Sequence, residues 1–236
     1  MRVSGFTFIR NAIRYDYPVV ESIRSILSLC DEVVVAVGDS EDGTRELIGS
    51  IGSPKIRIVD TVWDTSLRTS GQVLAAETNK ALDAISSDAD WAFYIQADEV
   101  VHEEYLDNIR DGMERWKDTS RVEGLLFNYL HFWGSYDWIG DSRKWYRKEV
   151  RIIRPHKGIH SYKDAQGFRI GNHKICVQPM DAWIYHYGWV KPPLAQQAKQ
   201  QEFHAFWHTE EWIRKHVSKE PEFDYSIINI LTPFSG

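Results

Sequence analysis

Cysteine is scarce in this sequence. Cys30 and Cys176 are the only two in 236 residues and have no CxxC spacing. That excludes a disulfide framework and makes a reduced, cytoplasmic setting the simpler expectation. Net positive charge is also missing: 28 lysines and arginines against 34 aspartates and glutamates leave −6. A protein that binds nucleic acid by neutralising phosphates is ordinarily basic, so this balance argues against one. No window approaches the roughly 18–20 apolar residues of a membrane span. The opening "MRVSGFTFIRNAIRYDYP" has arginines and a proline where a secretory leader needs an unbroken apolar run, so none is expected. Peripheral association with a membrane stays open. Repeats, low-complexity tracts and a clear linker are absent too, so residues 1–236 read as a single domain. Hydrophobic residues make up 43%, enough for a real core. Tryptophan is abundant, and eight of the ten follow residue 115 (Trp116, Trp133, Trp138, Trp145, Trp183, Trp189, Trp207 and Trp212). They either pack a core or provide flat platforms for sugar rings.

The first half alternates strand and helix. "VSGFTFI" (3–9) reads as a strand, and Tyr17-Pro18 opens a helical pattern with Val19, Ile23, Ile26 and Leu27 on one face. "VVVAV" (33–37) is a β-branched run suited to a strand covered on both sides. The turn "GDSEDGT" follows, with Asp42 or Thr44 placed to cap a helix through Ile48. "IRIV" (56–59) predicts a third strand, Gln72–Ile85 a helix, and Trp91–Ile95 a fourth strand, with helical sequence again over Glu103–Trp116. This order predicts a mostly parallel α/β sheet with ligands at the carboxyl ends of its strands. The second half is less regular. "VEGLLFNYLHFW" and "EVRIIR" suggest strands, "GWVKPP" a break, and Leu194–Val217 a long helix carrying Ala198, Phe203, Phe206, Trp207 and Ile213.

Two acidic loops fall at the expected ligand edge. In "FYIQADEV" (93–100) an apolar strand ends on Asp98 and Glu99. A carboxylate there is rigidly held, and Mg²⁺ or Mn²⁺ binds such oxygens together with substrate phosphates. Alternation along a strand sends the two acids to opposite sides, which favours Asp98 as the ligand. The competing reading is an acidic helix start, "DEVVHEE". In "GDSEDGT", Asp39 could accept from a nucleobase N–H or a ribose hydroxyl, or simply form an Asx turn.

Taken together, "FIRNAIRYDYPVVESIRSIL", "DEVVVAVGDSEDGTREL", "TNKALDAISSDADWAFYIQADEVV" and, more faintly, "RIIRPHKGIH" and "IYHYGWV" resemble family 2 glycosyltransferases with the GT-A fold. The match covers residues 3–105 well and the remainder loosely. The resemblance implies a Rossmann-like, mostly parallel central sheet flanked by helices, with a less regular C-terminal half. Residues 1–117 would bind a nucleoside-diphosphate sugar and residues 118–236 would face the acceptor. It further implies an enzyme of carbohydrate or cell-envelope biosynthesis that moves a sugar to an acceptor hydroxyl, inverting and dependent on Mn²⁺ or Mg²⁺. Asn11 would approach the nucleotide, Asp39 the base or ribose, Arg68 the diphosphate and Gln96 the ribose, with Asp98 and His186 on the metal. Among Asp137, Asp141 and Asp164, Asp164 is favoured as the base that deprotonates the acceptor. Gln96 departs from the family's Asp-x-Asp, and one acid rather than two precedes the turn. A non-catalytic nucleotide-sugar or glycan-binding module on the same fold is the alternative. A nucleotidyltransferase would carry a Gly-rich basic loop after the first strand, and "RNAIRYDYP" has no glycine. No pair of carboxylates identifies a glycoside hydrolase.

Overall fold

The first four strands run parallel, and the β-branched runs predicted to be strands build them. They are β1 (Val3–Ile9), β2 (Glu32–Val37), β3 (Ile56–Asp60) and β4 (Trp91–Tyr94), lying side by side in the order β3-β2-β1-β4. The computed structural model describes residues 1–64, 66–67, 71–143, 145–205, 210–216 and 231–234; at 203, 205, 210, 213, 216 and 231 it describes the backbone only. The connections carry α1 (Val19–Ile26), α2 (Thr44–Gly49) and α3 (Gln72–Asp83). Strand β2 shows why the sequence had to be apolar on both faces. Val33, Val35 and Val37 pack with Val19, Ile23 and Ile26 of α1, whereas Val34 and Ala36 pack with Ala81 and Leu82 of α3. Burying such β-branched chains removes roughly 1.5–3 kcal/mol worth of apolar surface each from water.

Beyond β4 the sheet turns antiparallel. β8 (Lys148–Ile153) pairs with β4, and β6 (Gly124–Trp133) with β8. The long β12 (Val177–Trp189) then runs parallel to β6. On β12 rides a short strand that the sequence did not announce, β5 (Glu99–Val101), antiparallel with His186 opposite Glu99. The acids therefore lead into a strand rather than a helix. A helix does follow, α4 (Leu106–Trp116), after a single 3₁₀ turn. Two small strands, β7 (Trp138–Gly140) and β13 (Leu231–Pro233), extend the edge. A separate antiparallel sheet of β9 (Ile159–Tyr162), β10 (Gly167–Ile170) and β11 (His173–Lys174) docks on α3. There the Asn79 amide bonds the Ser161 backbone on both sides, at 2.8 and 3.1 Å.

The C-terminal helical pattern is realised as α5 (Pro193–Ala205) and α6 (Glu210–His216). Phe206, Trp207 and Val217 lie outside the described residues, as does Arg68. No described helix is long and apolar enough to cross a membrane. The architecture is that of the GT-A fold: a largely parallel sheet, flanked by helices, whose strand ends converge on one edge.

Candidate active site

The carboxyl ends of β1 and β4 open into a cavity of about 410 Å³, within the range of small-molecule sites. Arg10, Gln96, Asp98 and Asp164 line it, with His131 and His186 from β6 and β12 and Gln196 and Lys199 from α5. Both halves of the chain thus contribute walls.

Asp98 is positioned by its backbone. A turn closes from the Glu99 N–H to the Gln96 carbonyl at 3.0 Å, and Ser22 of α1 donates to that same carbonyl at 2.7 Å. Tyr187 N–H donates to the Asp98 carbonyl at 2.8 Å, which stitches the acid loop to β12 and sets His186 beside it. Gly188 allows the close approach: a Cβ there would lie 2.6 Å from Asp98 Oδ2 and 2.7 Å from the His186 ring. Glu99 goes the other way, as alternation predicted. It is fully buried and bound by both guanidinium arms of Arg151, at 2.7 and 2.8 Å, and by the Tyr129 hydroxyl at 2.8 Å.

The two histidines fix each other's tautomers. His131 Nε2 lies 2.8 Å from the Tyr146 carbonyl, which only accepts, so that nitrogen carries the proton. The other nitrogen of neutral His131 is then an acceptor, and His186 Nδ1–H donates to it across 3.2 Å. His186 Nε2 is left with a bare lone pair, 3.7 Å from Asp98 Oδ2. Burial holds His186 below its ordinary value, against the pull of Asp98. For Asp98, burial pushes the carboxyl up, but the charges of Lys199 and Lys191 outweigh it and keep the group well below the usual carboxylate range. An ionised oxygen and a bare imidazole nitrogen side by side are two groups that could hold a divalent cation. Imidazole suits transition ions, whereas Mg²⁺ wants oxygen all round, so the pair fits Mn²⁺ better. The described residues hold no group of three or more metal-ligating side chains, so a cation held there would need phosphate oxygens and water as its other ligands.

The same pair makes stability pH-dependent. Burial, and then neighbouring His186, hold His131 down to about 4 from an ordinary 6.5. Between those values the unfolded chain takes up a proton that the folded chain refuses. Stability is therefore complete above pH 6.5 and falls as pH drops towards 4, by about 3 kcal/mol in full. Urea denaturation at pH 7.5, 5.5 and 4 should show this slope in the wild type and a shallower one in His131→Phe. Equal slopes would remove His131 as its source.

The other candidate residues are scattered more widely. Asp164 lines the cavity at the tip of the β9–β10 turn, between Lys163 at φ 55° and Ala165 at φ 62°. Left-handed non-glycine residues on both sides of one position are costly, and such strain collects at functional sites. Asp137 and Asp141 do not line the cavity. Asp141 instead pairs with Arg147 at 3.2 Å. Gln96 lines the cavity and reaches the Tyr94 hydroxyl at 3.3 Å. Asn11 is buried at φ 52° and accepts from Glu41 N–H at 2.9 Å, stapling the 38–44 turn. In that turn Asp42 accepts from Thr44 N–H at 3.2 Å, just ahead of the α2 N-cap Gly43, and from Arg14 N–H at 2.7 Å. Asp39 is exposed, 3.4 Å from Arg10, and neither it nor Asn11 lines the cavity.

Sequence reasoning passed over Arg10, His131, Gln196 and Lys199. Arg10 had a usable signal, since it directly follows a predicted strand; it lies over the Trp63 ring at 5.6 Å. Of the tryptophans, Trp63, Trp145 and Trp189 line the cavity, and Trp133 stacks on Trp189 at 4.9 Å.

No protein-family model matches the sequence, and no curated protein matches it. Among solved structures the chain is similar to TarS of S. aureus, with a TM-score of 0.51 and 15% identity over 86% of this chain and 39% of that one. A TarS fragment, residues 1–349, aligns at 0.48 and 14% over 87% of this chain and 65% of the fragment. Glucosyl-3-phosphoglycerate synthase from Mycobacterium tuberculosis, in complex with Mn²⁺, UDP and phosphoglyceric acid, aligns at 0.36 and 17% over 55% and 43%. The chain spans less than half the length of TarS. At such identities the likeness is one of fold.

Proposed function

We propose that this protein is a glycosyltransferase of the family 2 type. It moves a sugar from a nucleoside-diphosphate donor to an acceptor hydroxyl, with inversion at the anomeric carbon. The observation that carries the reading is the pairing of Asp98 with the bare Nε2 of His186, 3.7 Å apart, at the strand-end mouth of a GT-A sheet. These two residues would hold a divalent ion, Mn²⁺ before Mg²⁺, whose chemistry is to neutralise the departing diphosphate. Residues 1–117 supply the nucleotide-sugar half and residues 118–236 the acceptor half. Gln96 offers an amide to the ribose. Arg10, already in the cavity wall, offers a guanidinium to phosphate. Asp164, across the cavity on its strained turn, takes the proton of the attacking hydroxyl. Gln196 is 5% exposed, and neither of its amide atoms has a partner among the described residues, so the α5 wall offers a donor and an acceptor to a sugar.

One observation favours the second reading, a non-catalytic nucleotide-sugar-binding module: Lys199 gives Asp98 a countercharge from the chain itself, at 2.9 Å. A thermal-shift screen of UDP, GDP and dTDP, with and without Mn²⁺, followed by assay of nucleotide release from the matching donor sugar, separates the two. The transferase predicts metal-dependent stabilisation by one nucleotide and turnover of its sugar. Stabilisation without turnover favours the module, and stabilisation by none of the three counts against both.

A further inference from the structure

Helix α5 places a cation where the Asp98–His186 pair would receive one. Lys199 Nζ donates to Asp98 Oδ2 at 2.9 Å and to the Gly188 carbonyl at 3.0 Å. Its side chain is only 13% exposed and lies over the rings of Tyr17 at 4.8 Å and Trp189 at 5.9 Å. This is a built position, with two oxygens and two aromatic faces converging on one ammonium. It is also an exclusive one. A divalent ion held by Asp98 would repel an ammonium within hydrogen-bond distance of the same oxygen. Further along the same helix, Glu202 lies 3.7 Å from Arg10, the other cavity-lining cation. Helix α5 is thus tied to the cavity through groups of the proposed ligand site.

We propose that Lys199 is the resident counter-cation of Asp98, and that it exchanges partners when the site fills. The divalent ion displaces it from the carboxylate, and the ammonium moves onto the diphosphate carried by that ion. No bond is made or broken in the exchange; one oxygen partner is traded for another. This rests on the metal reading of Asp98 and His186 given above, and it adds a residue that this reading does not contain. Lys199 would supply a second positive charge to the leaving group.

Lys199→Met keeps the aliphatic stem over Tyr17 and Trp189 and removes the charge. Two titrations then give opposite signs. Mn²⁺ alone, followed by the paramagnetic resonance of the free ion, should bind roughly ten-fold tighter to Lys199→Met, because no ammonium competes. The preformed Mn²⁺–pyrophosphate complex, followed by calorimetry, should bind roughly ten-fold more weakly, because the second cation is gone. Lys199→Gln should repeat both shifts, with circular dichroism confirming that each variant is folded. A merely structural lysine would weaken both. Mn²⁺ binding no tighter than the wild type, or pyrophosphate binding unchanged, overturns the exchange while leaving the metal site standing. If neither the wild type nor the variants bind Mn²⁺, the metal reading falls and the exchange falls with it.

Discussion

Replacing Arg151 by methionine should destabilise the protein by about 3–5 kcal/mol. Arg151 and Glu99 are both fully buried, bound through two parallel contacts at 2.7 and 2.8 Å. The guanidinium also donates to the Val150 and Gln166 carbonyls at 3.0 Å and lies between the rings of Tyr94 and Tyr129, each 5.2 Å away. Methionine fills much of the volume but leaves the Glu99 carboxylate in the interior without a countercharge. Removing one partner of a buried pair is costly for that reason, whereas removing both is nearly neutral. The double variant Glu99→Gln, Arg151→Met should therefore recover most of the loss in urea denaturation. The effect should also reach the site. Glu99 accepts from Gln96 N–H at 3.0 Å, and Arg151 holds the Gln166 carbonyl close to Asp164, so one ion pair braces both carboxylate-bearing loops. A single-variant cost below about 1 kcal/mol would show that this pair is dispensable.

Replacing Asp98 by asparagine should weaken Mn²⁺ binding at least about 100-fold. Changes even to groups that only orient a metal ligand cost roughly 10–100-fold, and here the charged ligand itself is lost. The substitution keeps size and shape. The main-chain bond from Tyr187 that shapes the loop is untouched, so the fold should persist. What disappears is the ionised oxygen beside His186 Nε2, together with the partner of Lys199. Metal-dependent stabilisation by a nucleotide and any donor turnover should vanish with it. Free Mn²⁺ measured by paramagnetic resonance checks the first effect, and thermal shift with nucleotide the second. Wild-type affinity in Asp98→Asn would move the cation site elsewhere in the molecule.

Much of the nucleotide-side half could be read from local pattern. β1 matches the apolar run at 3–9 residue for residue, and β2, β3 and β4 agree within a residue at each end. Asp98 and Glu99 diverge as the two-residue period of an extended chain predicts, but the cause is the turn over residues 96–99, since β4 ends at Tyr94. The destination of Glu99 was not legible in that period. That Glu99 would meet Arg151 depends on β8 lying next to β4, a pairing between segments some 60 residues apart with no local signature. The DGT turn shows the converse: its residues stand out in sequence, but Asp42 and Gly43 serve the turn and α2.

The sequence by itself determined the parallel sheet, its strand-end acid and the edge where a ligand would sit, because burial on two faces and alternation are written residue by residue. Only tertiary structure decided what surrounds that acid. His131 and Lys199 come from β6 and α5, and through strand pairings and helix packing of long range they join Asp98 and His186, which only the family resemblance had placed together. Hydrophobic periodicity records which face of an element is buried but not which element covers it, so the charges around Asp98 became visible only once the chain was folded.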